Sequence, residues 1–352
     1  MTRVDVIIFH PRAASGAGPL SDAFAAIRGR NAQRQALGFR QAGAEVTVVE
    51  DLEGNASFGR RVRNLVGAIA PDGLVLLGSG SVPLATAADR RAFVATAGGP
   101  PCHALTNNRY SADIVAIAGA APLAGLPDLA ADNGLPRWLQ ESAGFEVADL
   151  RRRWRLQVDL DTPLDGMLIP WLEAGQALRD RDISTVAIRT TLAAVAAAAH
   201  DPLRELIVSG RTSAGTVRWL ERSTASRTRA LIEERGFRTR PASQRPVRST
   251  LGLLLDRDGP RALGSILAEL GDAAVVDSRV LLAHRFGAEE RRWPGAEDRF
   301  ASDLLLADRI ADPWLRELTE AAIDAPIPIV LGGHTLVGPG LRLAMREAGS
   351  WT

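Results

Sequence analysis

The first 175 residues alternate short apolar runs with segments of helical periodicity, and this alternation restricts the fold more than any other feature of the chain. The apolar runs are Val4–Phe9, Glu45–Glu50 and Gly73–Leu77, and the helical segments between them are Ser21–Ala42 and Ser57–Ala70. Such β-α-β-α-β alternation predicts a mainly parallel sheet with helices on both faces. Ligands of these folds bind at the carboxyl ends of the strands, near a reversal of strand order.

The second half of the chain also mixes strands and helices, so we predict two α/β domains, residues 1–178 and 179–352. A chain of 352 residues is longer than one typical domain. The elements expected in the second half are the helices Ser184–His200 and Thr212–Arg235 and the strands Leu251–Leu255, Ala273–Val276 and Ile327–Leu331.

The charge and cysteine content exclude several kinds of site. The formal net charge of +1 does not favour nucleic-acid binding, and no apolar run is long enough to span a membrane. All 42 basic residues are arginine, so any anion contact has to use arginine, backbone N–H groups or a metal. Cys102 is the single cysteine, which excludes an internal disulfide. We expect a cytoplasmic protein that binds neither nucleic acid nor membrane. A homo-oligomer is compatible with this composition.

The segment Val158–Asp165 contains the most informative polar pattern. Asp159 and Asp161 lie one residue apart at the end of an expected strand, Leu156–Leu160. Acids at this spacing on a strand point to the same face, and carboxylate oxygens suit Mg²⁺ or Mn²⁺. Thr162 can cap the helix that follows, with Pro163 in its first turn. The alternative to a metal site is a strand-to-helix turn in which one of the acids caps the helix. Asp159 and Asp161 are therefore candidate metal ligands and catalytic residues.

Three further polar segments in the first half have the composition of nucleotide-binding loops. The Gly-rich loop Pro11–Pro19 offers bare N–H groups to phosphates at the start of a helix. The turn Gly78–Ser81 allows a ligand to approach the backbone closely, and the loop after Cys102–Thr106 offers an amide to a base edge and a guanidinium to a phosphate. A turn without a ligand is the alternative for each. The candidate residues are Arg12, Gly16, Gly18, Ser79, Gly80, Ser81, Asn107 and Arg109.

The second half has one candidate cleft of its own. Asp277 and Arg279 close one expected strand, and Gly333-His334 follows another. Two strand ends that carry an acid, an arginine and a histidine can form one polar site, although a single histidine is more often a satisfied or surface residue. Asp277, Arg279 and His334 are therefore a possible second site.

Two motifs in the first half resemble those of GT-A-type nucleotidyltransferases. Gly78–Thr86 looks like the Leu-Pro-Leu-Leu-Thr turn of that family, and Asp159–Asp165 is similar to its Asp-x-Asp-Thr-Pro-Glu-Asp motif. Thr106-Asn107 matches a Thr-Asn pair of some guanylyltransferases, and within this family the chain resembles the phospholactate guanylyltransferase group. The resemblance covers about residues 1–175. It implies a GT-A, Rossmann-like mixed sheet, a metal at Asp159 and Asp161, and a nucleotide at the other candidate residues.

The chain also departs from this family in three respects. It lacks the lysine of the family's phosphate loop, it has Ser81 where the family has an acid that shares the metal, and its second half has no counterpart in the minimal family. We expect a metal-assisted transferase that moves a nucleotidyl or nucleotide-sugar group to a small phosphorylated or hydroxylated metabolite. The alternative is a non-catalytic relative that has lost the triphosphate site and acts in binding or assembly.

Overall fold

The computed structural model of the protein describes residues 2–50, 56–236 and 245–346, which form two compact units. Unit 1 combines the chain up to Ala14 with Ala25–Leu160, and unit 2 combines Ser15–Phe24 with the chain from Asp161 onward. The division therefore follows Leu160, whereas the sequence predicted a domain boundary after residue 178. Each unit has its own sheet.

Unit 1 is built on a six-stranded sheet. Its strands are β1 (Val4–Phe9), β2 (Glu45–Val49), β3 (Gly73–Gly78), β4 (His103–Thr106), β5 (Ile114–Ala118) and β6 (Glu146–Asp149). The strand order is β2-β1-β3-β5-β4-β6, in which β5 runs antiparallel to β3 and β4 and every other pairing is parallel. Since β2 and β3 lie on opposite sides of β1, the strand order reverses between β1 and β3.

Four helices cover the two faces of this sheet: α1 (Pro19–Gln41), α2 (Phe58–Ile69), α3 (Ala87–Ala97) and α4 (Leu135–Glu141). Side chains alternate along β1, so Val6 and Ile8 pack in a core with α1 and α3, while Ile7 packs in a second core with α2 and α4. Buried apolar residues on both faces are what a mostly parallel sheet requires.

Unit 2 contains a four-stranded, fully parallel sheet. Its strands are β7 (Glu205–Gly210), β8 (Arg227–Ile232), β9 (Ala273–Asp277) and β10 (Ile329–Gly332), in the order β10-β9-β7-β8. Its helices are α5 (Pro163–Met167), α6 (Ala174–Arg179), α7 (Val186–Ala199), α8 (Ala214–Ser223), α9 (Thr250–Asp258), α10 (Leu263–Ala268), α11 (Ser278–Phe286), α12 (Ala296–Asp303), α13 (Pro313–Ile323), α14 (His334–Val337) and α15 (Leu341–Ala344). Because β8 and β9 flank β7, the strand order reverses between β7 and β9.

Three predicted elements are wrong. The helix expected over Thr212–Arg235 is α8 followed by β8, because the chain turns at Thr224 and pairs with β7. The strand expected at Leu251–Leu255 is part of α9, whose N-cap Ser249 accepts the N–H of Gly252. A short apolar run does not by itself distinguish a strand from a buried helix. The third is the strand expected at Leu156–Leu160, where the chain forms a 3₁₀ turn and then an isolated β-bridge.

The predicted fold class is confirmed: a mostly parallel sheet flanked by helices, with a second α/β unit. None of the helices in the described ranges combines the length and the apolar character needed to cross a membrane.

Candidate functional site

The carboxyl ends of the unit 2 strands bring together charged residues from three strand ends. Arg211 follows β7, Asp277 and Arg279 lie at the end of β9, and His334 follows β10. Parallel strands place these ends at one edge of the sheet, and the reversal between β7 and β9 is where ligands bind in open α/β sheets. The structure therefore joins the three residues predicted as a second site, Asp277, Arg279 and His334, with Arg211.

Arg211 and Asp277 form a buried bidentate ion pair. The Nε of Arg211 donates to Oδ2 of Asp277 at 2.6 Å, and its Nη2 donates to Oδ1 at 3.1 Å. Burial alone would raise the pKa of the Asp277 carboxyl, but the charge and hydrogen bonds of Arg211 outweigh it and lower that pKa. Gly210 permits this pairing, because it has a φ of +122° and a Cβ there would lie 2.3 Å from the Cβ of Asp277.

Arg279 and Asp303 form a second buried pair. Nη2 of Arg279 donates to Oδ2 of Asp303 at 2.7 Å, and its Nη1 donates to the other carboxylate oxygen. The same Nη1 also donates to the hydroxyl of Ser278 at 2.9 Å. Both side chains are buried. This network holds the Arg279 guanidinium in one orientation beside the end of β9.

Arg299, on α12, forms a third pair of a different kind. Its Nη1 donates to a carboxylate oxygen of Glu290, whose side chain is 49% exposed. The Arg299 guanidinium carbon lies 5.7 Å from the centre of the Trp293 ring. Its Nε is buried and has no hydrogen-bond partner among the described residues. Arg299 thus retains a buried donor, although its charge is paired.

These arginines line a common cavity. Its volume is about 250 Å³, and its walls are formed by Asp161, Thr162, Arg211, Arg279, Glu290, Arg299, Phe300 and Gly333. The lining contains three guanidinium groups and the two carboxylates of Asp161 and Glu290. The buried carboxylates of Asp277 and Asp303 lie outside the lining and pair with Arg211 and Arg279. The cavity therefore offers many N–H donors to an anion, although these four carboxylates offset the positive charge of the three arginines.

The segment from Asp161 to Asp165 lies at this cavity and begins α5. Thr162 is the N-cap, and it forms a capping box with Asp165: the Asp165 N–H donates to the Thr162 hydroxyl, while Asp165 Oδ2 accepts the Thr162 N–H at 2.9 Å. Burial raises the pKa of the Asp165 carboxyl well above its usual range, and the negative charges of Asp161 and Asp303 raise it further. The predicted helix cap at Thr162, with Pro163 in the first turn, is confirmed.

His334 is the first residue of α14 and lies beside the same charges. Burial lowers the pKa of its imidazole to about 4, and the positive charge of Arg211 also lowers it, while Asp277 and Asp161 oppose the shift. His334 is therefore neutral at pH 7, so that it can accept a proton or a hydrogen bond.

The Ser79–Ser81 turn of unit 1 is held by the protein itself. Nδ2 of Asn31 donates to the carbonyls of Ser79 and Ser81 at 2.8 and 3.0 Å. A Cβ at Gly80 would lie 2.7 Å from the carbonyl oxygen of Leu160, so glycine is required there by the chain and not by a ligand. The Ser79 hydroxyl is buried and has no hydrogen-bond partner in the described part of the chain, which leaves it as the residue of this turn that retains capacity for a ligand.

Asn107 and Arg109 have structural roles that the sequence did not reveal. Asn107 is fully buried; its Nδ2 donates to Asp113 and to the Leu156 carbonyl, and its Oδ1 accepts the N–H groups of Asp113 and Ile114. Arg109 donates to the carbonyl of Val147 and lies 3.4 Å from the Asp149 carboxylate. The structure therefore argues against the nucleotide contacts predicted for Asn107 and Arg109.

The Gly-rich loop predicted to bind phosphate is also engaged within the protein. In unit 1, Arg12 pairs with Glu50 at 2.7 Å. In unit 2, the carboxylate of Glu297 accepts the N–H groups of Leu20 and Ser21 at 2.8 and 3.0 Å, at the start of α1. That carboxylate also lies where a Cβ on Gly18 would be, while Gly16 has open space around it. A carboxylate of the protein thus occupies the N–H groups that were predicted to receive a phosphate.

The predicted metal ligands do not lie on a strand. Residues Trp154–Gln157 form a 3₁₀ turn, and Asp159 forms an isolated antiparallel β-bridge with Ser81 instead of lying within a strand. The expectation that Asp159 and Asp161 share one face of a strand is therefore wrong, and among the described residues no three His, Cys, Asp or Glu side chains come close enough to hold a metal ion. Magnesium often uses one or two carboxylates plus water and phosphate oxygens, so the predicted metal stays a prediction.

The sequence missed three charged residues that line the unit 2 cavity, Arg211, Glu290 and Arg299, and Asp303 behind it. Arg211 had a usable signal, because Gly210-Arg211 closes an apolar run in the way that Asp277-Ser-Arg279 does. The strand that Arg211 follows, β7, was not among the predicted strands. Arg299 and Glu290 had no such signal, since both lie outside the strand ends and only the folded chain brings them to the cavity.

Comparisons with known proteins do not assign the chain to a family. No family model and no curated protein matches it. The crystal structure of Rv0371c from Mycobacterium tuberculosis H37Rv is similar over 47% of this chain and 95% of that chain, with 18% identity and a TM-score of 0.29. A complex of Rv0371c with manganese covers 42% of this chain and 87% of that chain, with 20% identity and a TM-score of 0.26. These TM-scores are too low to indicate a shared fold.

Proposed function

We propose that unit 2 binds a small anionic ligand, with a phosphate or carboxylate group, in the cavity at the carboxyl edge of its sheet. The observation that carries this proposal is the placement of Arg211 and Arg279. They follow the two strands between which the strand order reverses, and each is oriented by a buried carboxylate. A guanidinium held in this way presents its remaining N–H groups in a fixed geometry that suits phosphate or carboxylate oxygens.

The carboxylates in and behind the cavity lining define how such a ligand would bind. Since Asp277 and Asp303 neutralise two of the arginines, long-range attraction is weak and affinity has to come from direct hydrogen bonds in a partly desolvated cavity. We therefore expect modest affinity with a weak dependence on ionic strength. His334 stays neutral at pH 7, so it adds no positive charge to the site.

Calorimetric titration of the full chain with inorganic phosphate tests this proposal. Arg211→Lys and Arg279→Lys keep the charge that balances the buried carboxylates but lose the bidentate fork, so each should weaken phosphate binding by about tenfold or more. Arg261→Lys is the matched control, because Arg261 is an exposed arginine paired with surface carboxylates of Glu317 and Glu320. Absence of phosphate binding, or binding that both cavity variants leave unchanged, would overturn the proposal.

A second candidate function belongs to unit 1. Nucleotidyl transfer, with a nucleoside triphosphate or a nucleotide-sugar and a small acceptor, is favoured by a cavity of about 120 Å³ beside the end of β3, which would hold the base ring while the rest of the nucleotide lies outside it. Its lining includes the aromatic side chains of Phe9 and Phe58, which suit a base ring, and the acids Asp113 and Asp132, which suit its N–H groups. The internal contacts of Arg12, Asn107 and Arg109 support the non-catalytic alternative.

Nucleotide titrations separate these two alternatives for unit 1. Calorimetry with GTP, CTP, UTP and a nucleotide-sugar, each with and without Mg²⁺ or Mn²⁺, should give metal-dependent binding if unit 1 is a transferase. Asp161→Asn should then abolish the metal dependence, if this residue is a ligand as predicted. Absence of metal-dependent nucleotide binding would contradict the transferase.

A further inference from the structure

The three arginines of the unit 2 cavity differ in what holds them. Arg211 and Arg279 pair with carboxylates whose side chains are 0% exposed, whereas the Glu290 side chain that pairs with Arg299 is 49% exposed. Breaking a buried pair leaves an uncompensated charge in the protein interior. An exposed carboxylate returns to water at little cost, so it is the partner that a ligand can displace.

Arg299 also has hydrogen-bonding capacity that the protein does not use. Its side chain is largely buried, and its Nε has no hydrogen-bond partner among the described residues. A buried donor without an acceptor is unfavourable, and an anionic group in the cavity would supply that acceptor. The Trp293 ring beside the guanidinium helps to keep Arg299 in place.

Glu290 lies on a short connection that can release its side chain. It begins the 3₁₀ turn Glu290–Arg292, between α11 and α12, and none of the residues of this turn is buried. The connection is anchored beside this turn, where Nε1 of Trp293 donates to the Gly287 carbonyl at 2.7 Å. The Glu290 carboxylate can therefore rotate away from Arg299 without unpacking a core.

We propose that the ligand carries two anionic groups, one held by Arg211 and Arg279 and the other by Arg299, and that Glu290 is an internal substitute for the second group. This inference rests on the proposed function. The cavity of about 250 Å³ is smaller than the roughly 300–1,000 Å³ that holds a drug-sized ligand. The ligand class is accordingly a small phosphorylated carboxylic acid or another compact molecule with two anions, and not a whole nucleotide.

Calorimetry of the full chain with inorganic phosphate and with 3-phosphoglycerate tests the inference. The wild-type chain should bind 3-phosphoglycerate at least about tenfold more tightly than phosphate, since the carboxylate gains Arg299. Arg299→Gln should remove that difference, whereas Arg261→Lys, at an exposed surface pair, should keep it. Because the Glu290 carboxylate is exposed, Arg299→Gln leaves no buried charge and should fold.

Glu290→Gln supplies the second arm, because it removes the competing carboxylate. It should raise the affinity for 3-phosphoglycerate by about fivefold, the value of a partly exposed ion pair, whereas Glu289→Gln should leave that affinity unchanged. Glu289 is the matched control, as it precedes the same turn and pairs with Arg291 outside the cavity.

The results distinguish this inference from the proposed function. If phosphate binds in an Arg211-dependent manner but 3-phosphoglycerate binds no more tightly, the second anion position is refuted and the proposed function stands. If Glu290→Gln leaves 3-phosphoglycerate affinity unchanged, the role of Glu290 is refuted. If neither compound binds, the proposed function and this inference both fail.

Discussion

The carboxyl edges of the two sheets carry similar polar residues but use them differently. In unit 1, all four hydrogen-bonding positions of the Asn107 amide are taken by groups of the same unit. In unit 2, Arg211 and Arg279 each have a buried carboxylate partner and still line a cavity. A polar residue at a strand end thus forms a binding site only where the fold leaves part of its hydrogen-bonding capacity for a ligand.

The chemistry of the side chains explains this difference. An amide has two N–H donors and one carbonyl, and local backbone groups can occupy all of them. A guanidinium has five N–H donors, so a bidentate carboxylate uses fewer than half and fixes the direction of the rest. In a chain without lysine, paired arginine is therefore the residue that can serve both the fold and a ligand.

The largest expected effect comes from removing a carboxylate behind the unit 2 cavity. Asp277→Asn leaves Arg211 buried without its counter-charge and should lower the free energy of unfolding by about 3–5 kcal/mol, measured by urea denaturation. Asp258→Asn is the control, since it breaks only the surface pair with Arg257 and should cost less than about 1 kcal/mol. Equal effects of the two substitutions would show that the Arg211–Asp277 pair is not the buried support described above.

A pH dependence of stability should also distinguish the two units. The pKa of His334 in the folded protein is about 4 and its ordinary value is 6.5, so the unfolded chain binds more protons between these values. Stability due to a neutral His334 is complete above pH 6.5 and is lost as the pH falls toward 4, by about 2–3 kcal/mol. His334→Gln should make the urea midpoint less dependent on pH in this range. His103→Gln, at an exposed position in unit 1, should not, and an unchanged slope in His334→Gln would contradict the prediction.

Much of the fold could be predicted from the sequence, because the signals are local. The strand β1 was predicted with the bounds it has, the helix α2 within one residue at each end, and Thr162 as the cap of α5. The errors came where local preference does not decide: Leu251–Leu255 is apolar enough for a strand but packs as a helix. Tertiary pairing also made a strand of Arg227–Ile232, within a predicted helix.

The site was only partly predictable, for a physical reason. Asp277, Arg279 and His334 were found because they end apolar runs, and parallel strands bring such ends together. Whether a polar group is already satisfied depends on residues distant in the chain, as with Asn107 and the Leu156 carbonyl. Sequence patterns do not show whether a polar group is already satisfied, which is why the loop composition predicts a nucleotide contact at Asn107.

The smallest expected effect comes from Arg12, which follows β1 in unit 1 as Arg211 follows β7 in unit 2. The Arg12 side chain is 74% exposed and pairs with a partly exposed Glu50, so Arg12→Gln should lower the free energy of unfolding by less than about 1 kcal/mol. It should leave phosphate affinity unchanged, whereas Arg211→Lys should lower that affinity in the same calorimetric titration. A loss of phosphate or nucleotide affinity in Arg12→Gln would reverse the comparison, because the edge of unit 1 would then be an anion site in spite of its internal pairing.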